Sequence, residues 1–331
     1  MGELAAGILL ATLKSGIVIF LLLGIAAYLV LAERKLLARL QVRYGPNRAG
    51  PGGILQPLAD MVKLFTKEDL VPAGADRVIF LMAPALVAST VLMSFAVVPW
   101  GPEFTFWGTK VQGVVADLPI GVLYVFAMSS LSVYGVALGG WASNSKYSLL
   151  GGIRGAAQMI SYELSLGLSL VPVVMMAGSF SLVSIVEAQG SLPFGLLQPV
   201  SLVIFLISAA AESKRIPFDL PEAENELVAG YHTEYSGMRF GIFFLGEYVN
   251  MLVLGSMVAT MFLGGWKGPV LPPLVWFLLK VTGVAFLLIW VRGTLPRLRY
   301  DQLMHLGWKL LLPASILNVL ATGAVMALLG A

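Results

Sequence analysis

The chain has 331 residues, 58% of them hydrophobic and only 12% charged, with a formal net charge of +3. Soluble domains carry about 25% charged residues, so the composition is that of a polytopic membrane protein. Cysteine is absent, which excludes disulfides, thiol catalysis and cysteine-held iron–sulfur clusters. The two histidines, His232 and His305, make no HxxxH or HExxH spacing, and no GxxxxGK[ST] or helix-opening GxGxxG loop occurs. No metal site, nucleotide site or catalytic residue is therefore expected. The slight basic excess reads as membrane topology and not as nucleic-acid binding.

Apolar runs of about 17–25 residues predict spanning helices. Eight are found, over approximately 8–31, 78–99, 118–140, 157–178, 196–212, 238–264, 273–292 and 307–329. The expected fold is an all-α polytopic membrane protein, a single transmembrane domain over 1–331. The first connection, about 45 residues long, exceeds the usual loop length and so suggests function. It carries the turn-rich RYGPNRAGP and then GILQPLADMVKLFTKE. Ile54, Leu58, Met61 and Phe65 fall on one face of that stretch, and Gln56, Asp60, Lys63 and Lys67 on another. This spacing predicts an amphipathic helix at the membrane interface.

Lysine and arginine segregate to alternate connections, with 16 of 21 on one side. That side is read as cytoplasmic, which puts both termini outside and loops of about 33–77 and 212–237 inside. The second of these loops is the densest polar feature. Residues 212–235 hold Glu212, Asp219, Glu222, Glu224, Glu226 and Glu234, six of the chain's 18 acids, against Lys214 and Arg215. Carboxylates crowded at a bilayer surface repel one another and lose solvation, so they are expected to titrate as a group and retain protons near neutral pH. Asp219-Leu-Pro-Glu222 also has the form of a capping box for a short helix. Glu222 and Glu226 would then form a repulsive i,i+4 pair.

Several polar residues lie inside predicted spans. Gln158, Tyr162, Ser165 and Ser169 form one stripe with Glu163 beside it, Glu247-Tyr248 lies in the sixth span, and Lys280 and Lys309 interrupt the last two. Ionisable groups at membrane depth are functional candidates. The structural alternative is an interhelical hydrogen bond or ion pair.

Two segments resemble the signatures of a known family. GPNRAGPGGILQPLADMVKLFTKE (45–68) and RIPFDLPEAENELVAGYHTEYSGMRF (215–240) are similar to those of the quinone-site membrane subunit, the H type, of respiratory complex I. The resemblance covers essentially the whole chain. Lys214 stands where many members have a polar uncharged residue, and the Tyr231-His232-Thr233 run varies within the family. The resemblance implies a subunit of the proton-pumping NADH:quinone oxidoreductase of the cell inner membrane that binds no cofactor of its own. Quinone (ubiquinone or a relative) is the implied substrate, and FMN and iron–sulfur clusters are expected in partner subunits. The implied partners are the quinone-chamber and iron–sulfur subunits of the peripheral arm, small and antiporter-like membrane subunits, and lipid. Quinone would pass between helix one, helix six and the amphipathic helix.

The resemblance also implies roles for individual residues. Arg34 and Lys63 would meet the headgroup, Phe218 and Tyr231 would border the quinone, and Asp219, Glu222, Glu224 and Glu226 would form a charged wall. Glu163, Glu212, Glu234 and Glu247 would form a proton-coupling row, with Arg215 and Arg292 balancing part of that charge. A related subunit of a membrane-bound hydrogenase or other donor dehydrogenase, a self-contained ion transporter, and a scaffold that only anchors a redox module are the alternatives.

Overall fold

The structure is a computed structural model that describes residues 2–106, 109–190, 192–222 and 224–329. Its helices, in chain order, begin with α1 (Gly2–Leu40), α2 (Gln56–Thr66), α3 (Arg77–Ser94), α4 (Gly121–Ala142) and α5 (Lys146–Ala177). Three shorter helices follow, α6 (Leu182–Ala188), α7 (Phe194–Leu197) and α8 (Pro199–Glu212). The chain ends with α9 (Glu224–Leu227), α10 (Gly237–Phe262), α11 (Pro273–Thr294), α12 (Tyr300–His305) and α13 (Leu312–Leu329). A π turn over Leu306–Leu311 joins α12 to α13. Among the described residues, seven helical segments are long and apolar enough to cross a membrane, and α8 is a shorter apolar helix.

The differences from expectation have local causes. α1 runs nine residues past the first apolar run because AERKLLARL is rich in helix formers and holds no glycine or proline. Glu33 and Arg34 therefore sit on a helix and not in a loop. α8 has 14 residues, about 21 Å at 1.5 Å per residue, short of a hydrocarbon core of about 30 Å. Its start is set by Pro199, and Gln198 breaks the helix at φ −127°, ψ 58°. The connection after α3 holds an antiparallel hairpin, β1 (Gly101–Phe106) and β2 (Thr109–Gly113), with Phe104 opposite Val111. The predicted spans passed over it.

α2 forms as predicted but turns its apolar face away from the chain. Leu58 is 54% exposed and Phe65 64%, while Asp60 and Leu64 face α1 and α10. Such a face suits lipid and not water. α10 is the most enclosed of the spans, and the loop 213–236 folds over its start. Gly230 (φ +59°) makes that loop possible, since a Cβ there would lie 1.7 Å from the Pro221 carbonyl oxygen. Gly151 on α5 allows the same turn to sit against the helix, with no room for a Cβ beside the Tyr231 amide.

Hydrogen bonds show which elements share an end of the bundle. At one end Lys267 Nζ donates to the carbonyls of Glu187 and Gln189, and Gln189 Nε2 donates to Thr260 O. Gln198 Nε2 donates there to Thr322 Oγ1 of α13. At the other end lie Glu33 of α1, Arg292 of α11 and the 213–236 loop. α7 and α8 together therefore run from one end to the other.

Candidate functional site

A cavity of about 360 Å³ opens between α1, α2 and α10. Its walls are mostly apolar, with Ala27 and Val30 from α1, Met61 and Leu64 from α2, and Phe240, Phe244 and Leu245 from α10. The Phe240 and Phe244 rings stack at 5.9 Å and 19°. Its polar wall holds Arg34, Asp60 and Lys63. Arg34 Nη1 lies 2.7 Å from Asp60 Oδ2, and Gln56 Nε2 donates to Asp60 Oδ1 at 2.9 Å. Arg34 is largely solvent-accessible, so the pair adds little stability. What it does is fix a cation at the polar end of an apolar slot. Both predicted headgroup contacts, Arg34 and Lys63, thus line one space.

Beyond the cavity wall, rings lead inward. Phe240 is 5.2 Å from His232, and His232 is 4.9 Å from Tyr231, edge to face. Burial pushes His232 down to about 4, and the nearby Glu247 only partly opposes that, so the imidazole is neutral at neutral pH. The Tyr231 hydroxyl donates to Glu247 Oε1 at 3.0 Å and accepts from Lys214 Nζ at 3.2 Å. Lys214 Nζ is itself 3.4 Å from Glu247, and both residues are buried. The Glu222 and Glu247 carboxyls are near enough to act on one another. Burial first, and then the Glu247 and Asp219 carboxylates, push Glu222 well above the usual carboxylate range. Burial and the same acids hold Tyr231 as the neutral phenol.

A second polar group lies deeper in the bundle. Adjacent hydroxyls on α4 serve two carboxylates, with Ser129 donating to Glu212 and Ser130 to Glu163. Glu212 is 2% exposed, and its Oε2 has no hydrogen-bond partner among the described atoms. The Gln158 stripe is structural. Gln158 Nε2 donates to Ala211 O and Phe218 O, each at 2.7 Å, and the Tyr162 hydroxyl donates to Leu303 O at 2.8 Å.

Some expected roles change. Phe218 is buried against Tyr162, with ring centroids 5.6 Å apart, and does not border the cavity. Tyr231 is likewise enclosed and touches acids and not an open surface. Arg215 and Arg292 both pair with Glu33, a residue that carried no predicted role, and Arg215 also acts on Glu247 of the expected row. Arg215 also covers the Tyr248 ring at 4.1 Å. Asp219 and Glu222 are half-buried, but Glu226 is exposed and paired with Arg154 at 2.6 Å, a bond that lowers its pKa. Glu234 is half-buried and joins none of these pairs. The Glu224 side chain lies outside the described residues. The short helix opens at Glu224, so Asp219 and Glu222 do not frame its first turn as a capping box.

The family model described as NADH dehydrogenase matches residues 13–323. An H-type subunit of NADH-quinone oxidoreductase from Syntrophobacter fumaroxidans is 69% identical, over 96% of this chain and 96% of the relative. The H-type subunit of the same enzyme from Syntrophotalea carbinolica is 62% identical over 98% of both chains. One from Geobacter sulfurreducens is 61% identical over 98% and 99%.

The chain belongs to the H-type subunit family of NADH-quinone oxidoreductase. It is a membrane subunit of that enzyme, respiratory complex I, and it is a multi-pass membrane protein.

Proposed function

We propose that the cavity between α1, α2 and α10 admits quinone from the bilayer, and that the buried carboxylates couple quinone reduction to proton translocation. The observation that carries the reading is one cavity with apolar and aromatic walls and the fixed charges Arg34, Asp60 and Lys63 at its polar side. A quinone has the same division, an apolar tail and a polar head. Adding electrons to the head places negative charge on its oxygens, and preorganised cations stabilise such charge. Electrons would come from an iron–sulfur cluster of a peripheral-arm partner, with FMN further upstream, because this chain has no cysteine to hold a cluster. Two electrons and two protons convert quinone to quinol. Charge appearing beside the 213–236 loop would act on Glu222 and Glu247, and through the field on Glu212 and Glu163. Antiporter-like and small membrane subunits would receive the response. The assembly would sit in the cell inner membrane with the 212–237 loop on the cytoplasmic side, covered by the quinone-chamber partner.

Two variants test the cavity. In the intact complex, Arg34→Ala removes the cation and Ala27→Phe fills the slot. Both should lower the rate with quinone at least about tenfold, the effect of about 1.4 kcal/mol on a barrier, while a soluble acceptor that takes electrons upstream still turns over. Equal loss of both rates would mean failed assembly, and unchanged rates would remove the cavity from the path. Glu212→Gln fixes the neutral state and tests coupling. Protons translocated per electron in proteoliposomes should fall, and a parental ratio would leave the subunit as an anchor only.

A further inference from the structure

Two valines at the loop-bearing end of the bundle break the rule for left-handed backbone. Among the described residues, those with positive φ that are not glycine are Val42 (53°), Asn144 (50°), Lys214 (54°) and Val228 (65°). Lys214 is buried, and the others are exposed. Asn144 carries a residue type that tolerates this conformation. Val42 and Val228 carry a β-branched side chain, which the conformation crowds most, and they stand 95% and 61% exposed. We propose, resting on the reading above that a peripheral arm covers this end, that Val42 and Val228 are anchors for that arm: each seats in an apolar pocket of a partner subunit, and the pocket that takes Val42 is rimmed by carboxylates.

Local bonding holds both valines in place. The Val42 amide donates to Arg39 O at 3.1 Å, and the Arg43 amide donates to Ala38 O at 2.8 Å. These are the two bonds of a Schellman cap that ends α1, with Val42 at the position glycine usually fills. Just beyond, Gly45 lies against α1, where a Cβ would come within 3.1 Å of Lys35 Cα. The turn is closed on its own helix, and Val42 projects from a fixed base. Val228 is placed in a similar way. Leu227 before it is buried, and Gly230 (φ +59°) after it turns the chain against the Pro221 carbonyl. Neither turn needs a valine, and glycine would suit both backbones better. An exposed apolar side chain is not favoured by water either. Both costs are explained by a partner, since a side chain fixed in advance loses little freedom when it is buried on binding.

The occupant is read from height and charge. α1 meets α2 at the Arg34–Asp60 pair and then runs on for six residues to Leu40, about 9 Å at 1.5 Å per residue. The turn at Val42 thus stands beyond the level of α2, whose apolar face suits lipid, and within reach of a protein. Residues 34–48 hold Arg34, Lys35, Arg39, Arg43 and Arg48 and no acid. The partner surface complementary to them is acidic, and the apolar pocket for Val42 lies within that acidic rim. Around Val228 the charges are balanced, with Glu226 paired to Arg154 at 2.6 Å, so apolar contact alone is expected there.

The test is a footprint on the complex, made direct by this chain's lack of cysteine. Val42→Cys, Val228→Cys and, for comparison, Asn225→Cys are treated with a maleimide in inverted vesicles, before and after the peripheral arm is stripped. Labelling of this subunit is followed. Each should label at least about tenfold more slowly while the arm is bound, because the core of an interface is packed like a protein interior. Equal labelling of both valine positions in the two states, with Asn225→Cys protected, overturns the proposal and leaves the arm over this end. Equal labelling of Asn225→Cys as well removes the arm from this end and takes the earlier reading with it. Protection of Val42→Cys that survives stripping places it among lipid headgroups and also overturns the proposal. A second measurement uses glycine, which fits both backbones and removes only the side chain. Val42→Gly and Val228→Gly should each release the arm at least about tenfold faster on dilution into salt, and Val42→Asp should release it faster than Val42→Gly. Parental release from both glycine variants overturns the anchors, since a valine with no partner would be replaced by glycine there without loss.

Discussion

His232 joins the two halves of the site, its ring 5.2 Å from Phe240 on the cavity wall and 4.9 Å from Tyr231 in the acid cluster. Burial lowers its pKa from 6.5 to about 4, which gives the loop a pH dependence with a definite sign. Below 6.5 the opened loop binds a proton that the closed loop refuses until about 4. The closed state is thus fully favoured above 6.5 and loses up to about 3 kcal/mol as pH falls to 4. Hydrogen exchange of amides in 228–235 should show opening that increases over this window after correction for intrinsic rates, and His232→Asn should flatten the slope. A slope unchanged by the substitution would assign it to other groups. At this scale the sequence was partly legible. Arg34 and Lys63 were reached through the family pattern, and the structure puts both on one cavity. Glu33 was passed over because its partners, Arg215 and Arg292, are 182 and 259 residues away. Ser129 and Ser130 give no signal in an apolar run, where serine is ordinary. The Lys214 contact needed the turn after α8, whose left-handed residue no periodicity reveals.

The far end of α10 shows how an ion inside a span can be purely structural. Lys280, two turns into α11, donates to the carbonyls of Leu263, Gly265 and Lys267 at 2.6, 2.8 and 2.7 Å. An ammonium has three hydrogens, and all three are used. The carbonyls belong to the C-cap of α10 and the turn after it, where the helix dipole favours a cation. Hydropathy alone left Lys280 between function and structure, and the geometry favours structure. Lys280→Met should strand those carbonyls, at a cost of about 2 kcal/mol or more, and lower the thermal midpoint of the assembled complex on native gels. Quinone reduction per assembled complex should stay at the parental rate, and a lost rate with an unchanged midpoint would restore a functional role. The other elements follow the same division. Long spans were legible because about 20 apolar residues have few other fates. The hairpin and the π turn were not, since both are set by what packs beside them.

For the whole molecule, the question of seven or eight crossings decides where the chain ends lie. Among the described residues, seven helical segments meet the length of a bilayer and α8 by itself is too short, a count that would put the two termini on opposite sides. The hydrogen bonds argue otherwise. Gln189 and Gln198, before α8, bind Thr260 and Thr322 at one end of the bundle, while Glu212, its last residue, leads into the loop that binds Glu33 at the other. α7 and α8 together would make an eighth crossing. The start of α1 and the end of α13 then share one end, and the acidic loop occupies the other with Arg34, Arg39, Arg43, Arg154, Arg215 and Arg292. That concentration of arginine is the reason to expect this end on the cytoplasmic side. Val42 and Tyr44 stand 95% and 87% exposed among these charges, a surface suited to a peripheral partner. The chain has no cysteine, so single cysteines report without background. In right-side-out vesicles of the complex, a membrane-impermeant maleimide should label Leu329→Cys and leave Asn225→Cys unlabelled. Inverted vesicles stripped of the peripheral arm should give the opposite pattern. Glu187 lies before α8, so labelling of Glu187→Cys and Asn225→Cys from the same side would mean that α8 does not cross, and labelling of Asn225→Cys from outside with Glu187→Cys and Leu329→Cys from inside would reverse the orientation.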